Sequence, residues 1–411
     1  MPRDPREGPP VAARHSVVAP HPSVERWLLA LYAVTPIAVT IKELLVHVDN
    51  NFLVFRGSFL NLAAGRDLYA PNPALYLDLF KYSPTFALLF APFAVTPPAL
   101  GLLMWSALNV LTYYYAIGRL LPDRRGWLVL ALIWVDVLGT TQRAQSNALV
   151  AALMVLSFLA LERERQWGAA TLTGVGTIIK IFPAATLPLA VFHPRRLRFA
   201  TLFIVVMAIL VALPLLLVSP DSLIAQYRSW MAVEAIDAAP AVAGGHGGAL
   251  YGGVMQQLHI WFGVTWPNWP TQLLGTILLL LPLAIRRDRW SDPDFRLRVL
   301  CSILVYVVIF NHQAESPSFV IATTGIAIWY VIGPRDALCT GILAATLLLV
   351  SAGTSDLVPR WMRVHVMLEW RVKTLPCIAA WIVMQAELLR PSTRHHEHAW
   401  TGAHTEAKLT S

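Results

Sequence analysis

Long apolar runs separated by short polar loops dominate this sequence and restrict what it can fold into. Of its 411 residues, 56% are hydrophobic and only 14% are charged, whereas soluble domains carry about 25% charged residues. A helix needs roughly 20 residues to cross about 30 Å of hydrocarbon, so we predict an all-α polytopic membrane protein with about 12 transmembrane helices. The predicted spans are 26–46, 98–120, 127–140, 147–162, 168–180, 182–193, 199–218, 269–285, 298–311, 317–333, 336–353 and 373–389.

Arginines in the short loops predict the orientation of the chain, because cytoplasmic loops are enriched in Lys and Arg. Whether the segment 83–95 crosses the membrane decides on which side the later loops lie. If it does not cross and the N-terminus is cytoplasmic, the loops that carry the eleven arginines named below are cytoplasmic, whereas a crossing would turn all of these loops outward. We therefore predict that 83–95 is a short interfacial or re-entrant helix and that both termini are cytoplasmic. The loop arginines are Arg124, Arg125, Arg163, Arg165, Arg195, Arg196, Arg198, Arg286, Arg287, Arg289 and Arg335.

This topology predicts the division of the chain and two long outer loops, 47–97 and 219–268. The second loop contains Gly244-Gly-His-Gly-Gly248. It is too rich in glycine for one rigid helix and is predicted to be mobile. The predicted parts are a disordered cytoplasmic N-terminus over 1–25, a membrane domain over 26–389 and a disordered cytoplasmic tail over 390–411.

The net charge of +8 would suggest a nucleic-acid partner in a soluble protein. Here the loop arginines that set topology account for the basic excess. We therefore expect membrane lipids as partners and no nucleic acid.

Polar side chains gather on the predicted outer face. Ionisable groups at membrane depth cost several kcal/mol and are functional candidates by default. Lys180 follows an apolar half-helix and precedes Ile181-Phe-Pro183, so it is predicted at a break between two short spans. There it can meet an anionic phosphate; a structural lysine that snorkels to the interface is the alternative. The outer-face set is Asp49, Asp78, Lys81, Arg143, Gln145, Lys180, His312 and Glu315.

The segment 354–372 departs from the charge rule. Arg360, Arg363, Arg371 and Lys373 fall on the predicted outer side, where Lys and Arg are usually scarce. Either the last two spans are drawn wrongly or these cations face an anionic lipid, and we favour the second interpretation.

Five short motifs follow one another in an order that resembles glycosyltransferase family 87. That family is similar to the bacterial polyprenol-phosphate-mannose-dependent mannosyltransferases. The resemblance covers roughly residues 30–350. The motifs are Asn51-Phe-Leu-Val-Phe55, Gly65-Arg-Asp-Leu-Tyr69, Lys81-Tyr-Ser-Pro-Thr-Phe-Ala-Leu-Leu-Phe-Ala-Pro92, Ala144-Gln-Ser-Asn147 and Lys180-Ile-Phe-Pro183.

The resemblance implies a GT-C-like fold with juxtamembrane helices in the first outer loop. It also implies an active site on the outer face of the cytoplasmic (inner) membrane. Enzymes of this kind take a hexose, mannose in the similar enzymes, from a polyprenyl-phosphate carrier and usually invert the anomeric carbon. The acceptor would be a lipid or a glycan.

Asn51 departs from the family pattern, which usually has Asp at this position. Asn cannot act as a base, so Asp49 is the first candidate for the catalytic carboxylate and Asp78 is the second. Cations would stabilise the leaving phosphate. The predicted phosphate-binding residues are Lys81, Lys180, Arg143 and His312. The other predicted substrate-binding residues are Asn51 and Tyr82, with Gln145, Asn147 and Glu315 assigned to sugar hydroxyls.

Two other functions stay open at the level of sequence. A transporter or lipid flippase would also need many spans, but it predicts internal repeats with broken helices, and no such repeat is evident. A catalytically inactive protein that retains the fold is the other alternative, because of Asn51. No Asp-x-Asp motif suggests a metal, so neither a metal nor another cofactor is expected.

Overall fold

The computed structural model describes residues 22–46, 51–72, 76, 78–238, 251–353 and 358–391. These residues are almost entirely helical. The α-helices are α1 (Pro22–Val46), α2 (Asn51–Ala63), α3 (Pro84–Leu89), α4 (Ala91–Ala94), α5 (Pro98–Leu120), α6 (Arg124–Gln142), α7 (Asn147–Glu162), α8 (Gln166–Ile179), α9 (Arg196–Ala212), α10 (Pro220–Ala238), α11 (Val254–Phe262), α12 (Asn268–Ile285), α13 (Pro293–Ile309), α14 (Phe319–Ile332), α15 (Ala337–Thr346), α16 (Arg360–Met362) and α17 (Thr374–Leu389). Shorter 3-10 helices cover Phe182–Phe192, Leu213–Leu216, Arg287–Arg289 and Ser316–Ser318, and π-helical turns cover Leu347–Ala352 and Arg363–Leu368.

The apolar helices confirm an all-α membrane protein. Among the described residues, 4 helices are long and apolar enough to cross a membrane unaided, and several shorter apolar helices accompany them. A helix overlaps every span predicted from the sequence, while the number of crossings stays a prediction. The 4 long spans are Ser23–Val46, Pro98–Leu120, Arg196–Leu216 and Asn268–Ile285.

Helix α7 forms the centre of the bundle. Almost all of its side chains are buried, and its alanines allow α5 and α8 to pack closely against it. The Ser157 and Thr173 hydroxyls, 2.6 Å apart, join α7 to α8. At its end, Glu162 accepts two hydrogen bonds of 2.7 Å from Arg296 of α13. The helices that carry the candidate site are therefore held by a tightly packed core.

The segment 83–95 forms α3 and α4, which are 6 and 4 residues long and too short to cross a membrane. The predicted short helix is thus confirmed in its local structure, and its place at the membrane surface stays a prediction. The Ser83 hydroxyl caps α3 by accepting from the backbone nitrogen of Phe86 at 3.1 Å, which stabilises the helix start. It also donates to the backbone oxygen of Ile178 at 2.8 Å. Helix α3 is therefore fixed beside the end of α8.

The prediction of one mobile loop over 219–268 is wrong, because α10 and α11 lie within it. The glycines are concentrated between 244 and 253, whereas residues 220–238 contain none. The glycine-free stretch 220–238 can therefore form a helix although the segment as a whole is rich in glycine. The glycine run 244–248 itself lies outside the described residues.

Two further features differ from the sequence analysis. Helix α1 begins at Pro22, inside the predicted disordered N-terminus, while 1–21 and 392–411 lie outside the described residues. A two-residue antiparallel ladder pairs β1 (Tyr251–Gly252) with β2 (Ala314–Glu315). The ladder holds the start of α11 against the segment before α14.

Candidate active site

A cavity of about 740 Å³ lies where α2, α8, α9 and α10 meet the loops before α3 and before α14. Its wall is mixed, with apolar side chains beside both cations and carboxylates. The lining residues are Asn51, Val54, Phe55, Asp78, Leu79, Lys81, Tyr82, Gln145, Thr177, Ile178, Ile179, Lys180, Ile181, Phe182, Met207, Val211, Tyr227, Trp230, Met231, Glu234, Ala235, Asn311, His312, Gln313 and Glu315.

The cavity brings together most of the residues that the sequence singled out. Asn147 lies behind the wall, and the Arg143 side chain is exposed and does not line the cavity. Asp49 lies outside the described residues. The predicted residues that line the cavity are Asn51, Asp78, Lys81, Tyr82, Gln145, Lys180, His312 and Glu315.

The side chain of Lys180 begins a continuous chain of hydrogen bonds. Its Nζ donates to Oδ1 of Asn147 at 2.8 Å, and Nδ2 of Asn147 donates to Oε1 of Gln145 at 2.7 Å. Nε2 of Gln145 then donates to Oε2 of Glu315 at 2.6 Å. An ammonium group has three N–H donors, so Lys180 can bind Asn147 and an anionic oxygen in the cavity at the same time.

Local backbone geometry sets the position of Lys180. Helix α8 ends at Ile179, and Lys180 is extended, with φ −147° and ψ 146°, before the 3-10 helix Phe182–Phe192 begins. A Cβ at Gly176 would lie 2.7 Å from Cγ of Pro183, so glycine permits this tight connection. The predicted break between two short helices is thereby confirmed. Nζ of Lys180 lies 5.8 Å from the ring centroids of both Tyr82 and Phe182, within cation–π range.

Tyr82 lies between charged groups at the cavity wall. Its backbone oxygen accepts a hydrogen bond of 2.8 Å from the Tyr69 hydroxyl, and its ring packs edge-on against Phe55. Burial raises the pKa of the Tyr82 phenol, and the negative charges of Glu315 and Asp78 raise it further. The phenol is therefore a neutral hydrogen-bonding group at neutral pH.

The Asn51 side chain binds backbone and is not free to act on a substrate proton. Its Nδ2 donates to the backbone oxygen of Arg143 at 3.0 Å, which joins the start of α2 to the connection between α6 and α7. An ionised carboxylate is only an acceptor and could not replace this donor. An asparagine at position 51 therefore suits the backbone oxygen of Arg143, which needs a hydrogen-bond donor.

Three carboxylates line the cavity among the described residues, and they differ in their contacts. Asp78 is exposed, and its Oδ1 accepts from the backbone nitrogen of Leu79 at 2.8 Å. Glu315 is engaged by Gln145, whereas Oε1 of Glu234 accepts from Nε1 of Trp230 at 3.2 Å. Asp78 is the most accessible of the three and is the one that the sequence analysis assigned to catalysis.

The loop that carries His312 is held from neighbouring elements. Gln256 of α11 donates to the backbone oxygen of His312 at 2.9 Å, and Nε2 of Gln272 lies 3.5 Å from its Nδ1. Nζ of Lys373 donates to Oγ of Ser316 at 2.7 Å. Lys373 therefore contributes to the protein's own packing, in addition to any contact with lipid.

One face of α10 also lines the cavity, and none of its residues is among those predicted from the sequence. Tyr227, Trp230, Met231, Glu234 and Ala235 all contribute to the wall. Their spacing of 3, 4, 7 and 8 residues from Tyr227 is the pattern of one helix face. This spacing is visible in the sequence, but the glycines that follow α10 make 219–268 as a whole resemble a loop.

No group of three or more His, Cys, Asp and Glu side chains suited to a metal ion occurs in the part of the chain that the structure describes. The expectation that the protein needs no metal stays a prediction. The polar contacts instead suit hydroxyl groups and an anion, because the cavity combines carboxylates, amides and an ammonium group.

The comparison with protein families agrees with the resemblance noted in the sequence. The profile of glycosyltransferase family 87 matches residues 80–310, which is more than half of the chain. The matched region includes Lys81, Gln145, Lys180 and Glu234, and it ends shortly before His312. No curated protein matches the chain.

Proposed function

The chain belongs to glycosyltransferase family 87, and from this premise we propose that it transfers a hexose from a polyprenyl-phosphate donor to a lipid or glycan acceptor. Family membership and the apolar helices make it a membrane glycosyltransferase. We propose mannose as the sugar, inversion as the stereochemical course, and the outer face of the cytoplasmic membrane as the location of the active site, with both termini cytoplasmic.

The observation that carries this proposal is the position of Lys180 in a cavity that also has an apolar wall. Nζ of Lys180 is oriented by Asn147, and the neighbouring Ile181 is 75% exposed. An isoprenoid phosphate has an anionic head and an apolar tail. Lys180 offers a partner to the head, and the exposed Ile181 offers one to the tail. Lys81 and His312 line the same cavity and are proposed to assist in binding the phosphate.

In the proposed reaction, the acceptor hydroxyl oxygen forms a bond to the anomeric carbon of the donor sugar. A carboxylate takes the hydroxyl proton as the bond forms. The bond between the anomeric carbon and the phosphate oxygen breaks, and polyprenyl phosphate leaves with the electron pair. Cations stabilise the negative charge that develops on the phosphate.

Asp49 and Asp78 are the proposed bases. Asp78 has the support of its position in the cavity wall and of its exposed carboxylate. Gln145, Asn147 and Glu315 are proposed to orient sugar hydroxyls directly or through the hydrogen-bond chain that they form. Arg143 would reach the phosphate only from outside the cavity wall.

Transfer of radiolabelled mannose from polyprenyl-phosphate mannose in proteoliposomes tests the function. A lipid extract of host membranes supplies acceptors. We expect labelled product from the unmodified protein and from Asp221→Asn, an exposed carboxylate of α10 outside the cavity. At least one of Asp49→Asn and Asp78→Asn should reduce the rate about 100-fold or more, as expected for loss of a general base.

Full activity in both aspartate variants would refute the carboxylate assignment. A protein that moves substrate across the membrane without sugar transfer would favour the transporter or flippase, and no transfer from any labelled polyprenyl-phosphate hexose would favour the inactive alternative. Glucose-labelled donor, run beside mannose-labelled donor, distinguishes the sugars.

A further inference from the structure

Two adjacent side chains of α10, Gln226 and Tyr227, fix the helix against the first outer loop and against α9. The Gln226 amide accepts from the backbone nitrogen of Leu68 at 3.0 Å and donates to the backbone oxygen of Arg66 at 2.9 Å. The Tyr227 hydroxyl donates to the backbone oxygen of Val211 at 3.1 Å. These contacts hold one face of α10 towards the cavity, so the side chains that follow on that face have defined positions.

Trp230 and Glu234 come next on this face, and both line the cavity. Nε1 of Trp230 lies 3.2 Å from Oε1 of Glu234 and 3.2 Å from the backbone oxygen of Lys81. The indole N–H is thus shared between them. Glu234 therefore lies beside the segment that carries Asp78 and Lys81, and both side chains are half-buried.

The polar groups of the cavity fall into two sets. Lys180 is linked through Asn147 and Gln145 to Glu315, and this set offers an ammonium group to the donor phosphate. The α10 side instead offers a carboxylate and an indole ring. A carboxylate accepts hydrogen bonds from hydroxyl groups and repels an anion, while an aromatic ring packs against the apolar face of a sugar ring.

We propose that Trp230 and Glu234 form the acceptor subsite, and that the part of the acceptor bound there is an uncharged sugar. The inference rests on glycosyl transfer as the function of the cavity and specifies which surface binds the acceptor. The sugar ring lies against Trp230, and its hydroxyl groups donate to Glu234. An acceptor with a carboxylate or phosphate at this position is disfavoured.

Binding of a simple neutral sugar tests the subsite without any turnover. The full-length protein in nanodiscs is titrated with methyl α-D-mannopyranoside and, separately, with methyl α-D-glucopyranosiduronate, and binding is followed by saturation-transfer NMR. Glu234→Gln keeps an oxygen that can accept from Trp230 and removes only the charge. Asp221→Asn makes the same type of change on an exposed part of α10.

We expect the unmodified protein and Asp221→Asn to bind the mannoside and to discriminate against the uronate. Glu234→Gln should bind the mannoside at least about fivefold more weakly, since hydrogen bonds to charged groups are stronger than those to neutral ones, and should discriminate less between the two sugars. A residue that serves only the fold would not change this preference. Unaltered thermal unfolding confirms that the variant is folded.

Equal affinity and equal discrimination in Glu234→Gln and the unmodified protein would overturn the subsite, as would absence of mannoside binding to the unmodified protein. The measurements use no donor, so they separate this inference from the proposed function. Failure of sugar transfer together with normal mannoside binding would refute the transferase and leave a sugar-binding surface on α10.

Discussion

Gln145 donates a hydrogen bond of 2.6 Å to Oε2 of Glu315 and so connects the loop between α6 and α7 with β2. The same amide accepts from Asn147 at 2.7 Å, which in turn holds Lys180. A continuous chain of hydrogen bonds therefore joins Lys180 to Glu315.

A double-mutant cycle measures the coupling between these two side chains. We expect Gln145→Leu and Glu315→Leu, which each remove one partner of the hydrogen bond, to destabilise the protein, and the double variant to lose less than the sum. The coupling should be about 1–3 kcal/mol, because a partly buried hydrogen bond to a charged group is involved. Chemical unfolding in detergent gives the four free energies, and additivity within about 0.3 kcal/mol would contradict the contact.

Replacement of Lys180 by Met tests the proposed phosphate-binding role. The change keeps an unbranched side chain and removes the ammonium group, so Oδ1 of Asn147 loses its donor and the leaving phosphate loses a cation. We expect kcat/KM for the polyprenyl-phosphate donor to fall about 100-fold, equivalent to about 2.7 kcal/mol of transition-state stabilisation. Lys42→Met, an exposed lysine at the end of α1, is the matched control. Equal losses in both variants would point to a general effect of charge.

Introduction of the family's usual aspartate at Asn51 should reduce stability. Asn51→Asp removes the donor to the backbone oxygen of Arg143 and places a carboxylate against that oxygen. We expect a loss of about 1–3 kcal/mol in the free energy of unfolding, larger than in Asn51→Ala, which removes the bond without adding charge. A more stable or equally stable Asn51→Asp protein, compared by thermal unfolding with both others, would show that the contact is unimportant.

The buried phenol of Tyr82 predicts how the stability of the protein changes at alkaline pH. Because burial and the charges of Glu315 and Asp78 raise its pKa in the folded protein, the folded state keeps the phenolic proton at a pH where the unfolded chain, with a pKa of about 10, releases it. The contribution of the Tyr82 phenol to the free energy of unfolding is therefore fully present below about pH 10. It is lost as pH rises through the pKa of Tyr82 in the folded protein.

In Tyr82→Phe, the free energy of unfolding should fall less steeply above about pH 10, by up to about 1.4 kcal/mol per pH unit. Tyr115→Phe, which changes an exposed tyrosine, serves as the control and should keep the original slope. If the free energy of unfolding falls with pH equally steeply in Tyr82→Phe and in the unmodified protein, Tyr82 does not cause the loss of stability at alkaline pH.

Several parts of this architecture could be predicted because they depend on local sequence. Apolar length predicts the helices, and Ile181-Phe-Pro183 after Lys180 predicts the break at the end of α8. The charge rule predicts that Asp78, Lys81, Gln145, Lys180 and Glu315 share one face of the protein. The structure places these five residues around one cavity, which is consistent with that prediction, and it supplies the distances between them.

Other features depend on packing and could not be read from short segments. The assignment of Asn147 to a sugar hydroxyl stays a prediction, and the sequence did not indicate that its Oδ1 accepts from Lys180, a contact that exists only because α7 and α8 pack together. The assignment of Arg143 to the phosphate also stays a prediction, and the structure adds that its side chain is exposed and that its backbone oxygen accepts from Asn51. Glu234 was overlooked because the glycines that follow α10 dominated the composition of the segment.

The hydrogen-bond chain from Lys180 to Glu315 also has a consequence for biosynthesis. Helices α7 and α8 are neighbours in the sequence, so Lys180 and Asn147 can pair soon after both helices leave the ribosome. Glu315 is synthesised much later, after α9 to α13, and β1 must precede it to form the ladder. The cavity is thus completed late in synthesis, and a growing polypeptide that stops before β2 would reach the bilayer with its site only half assembled.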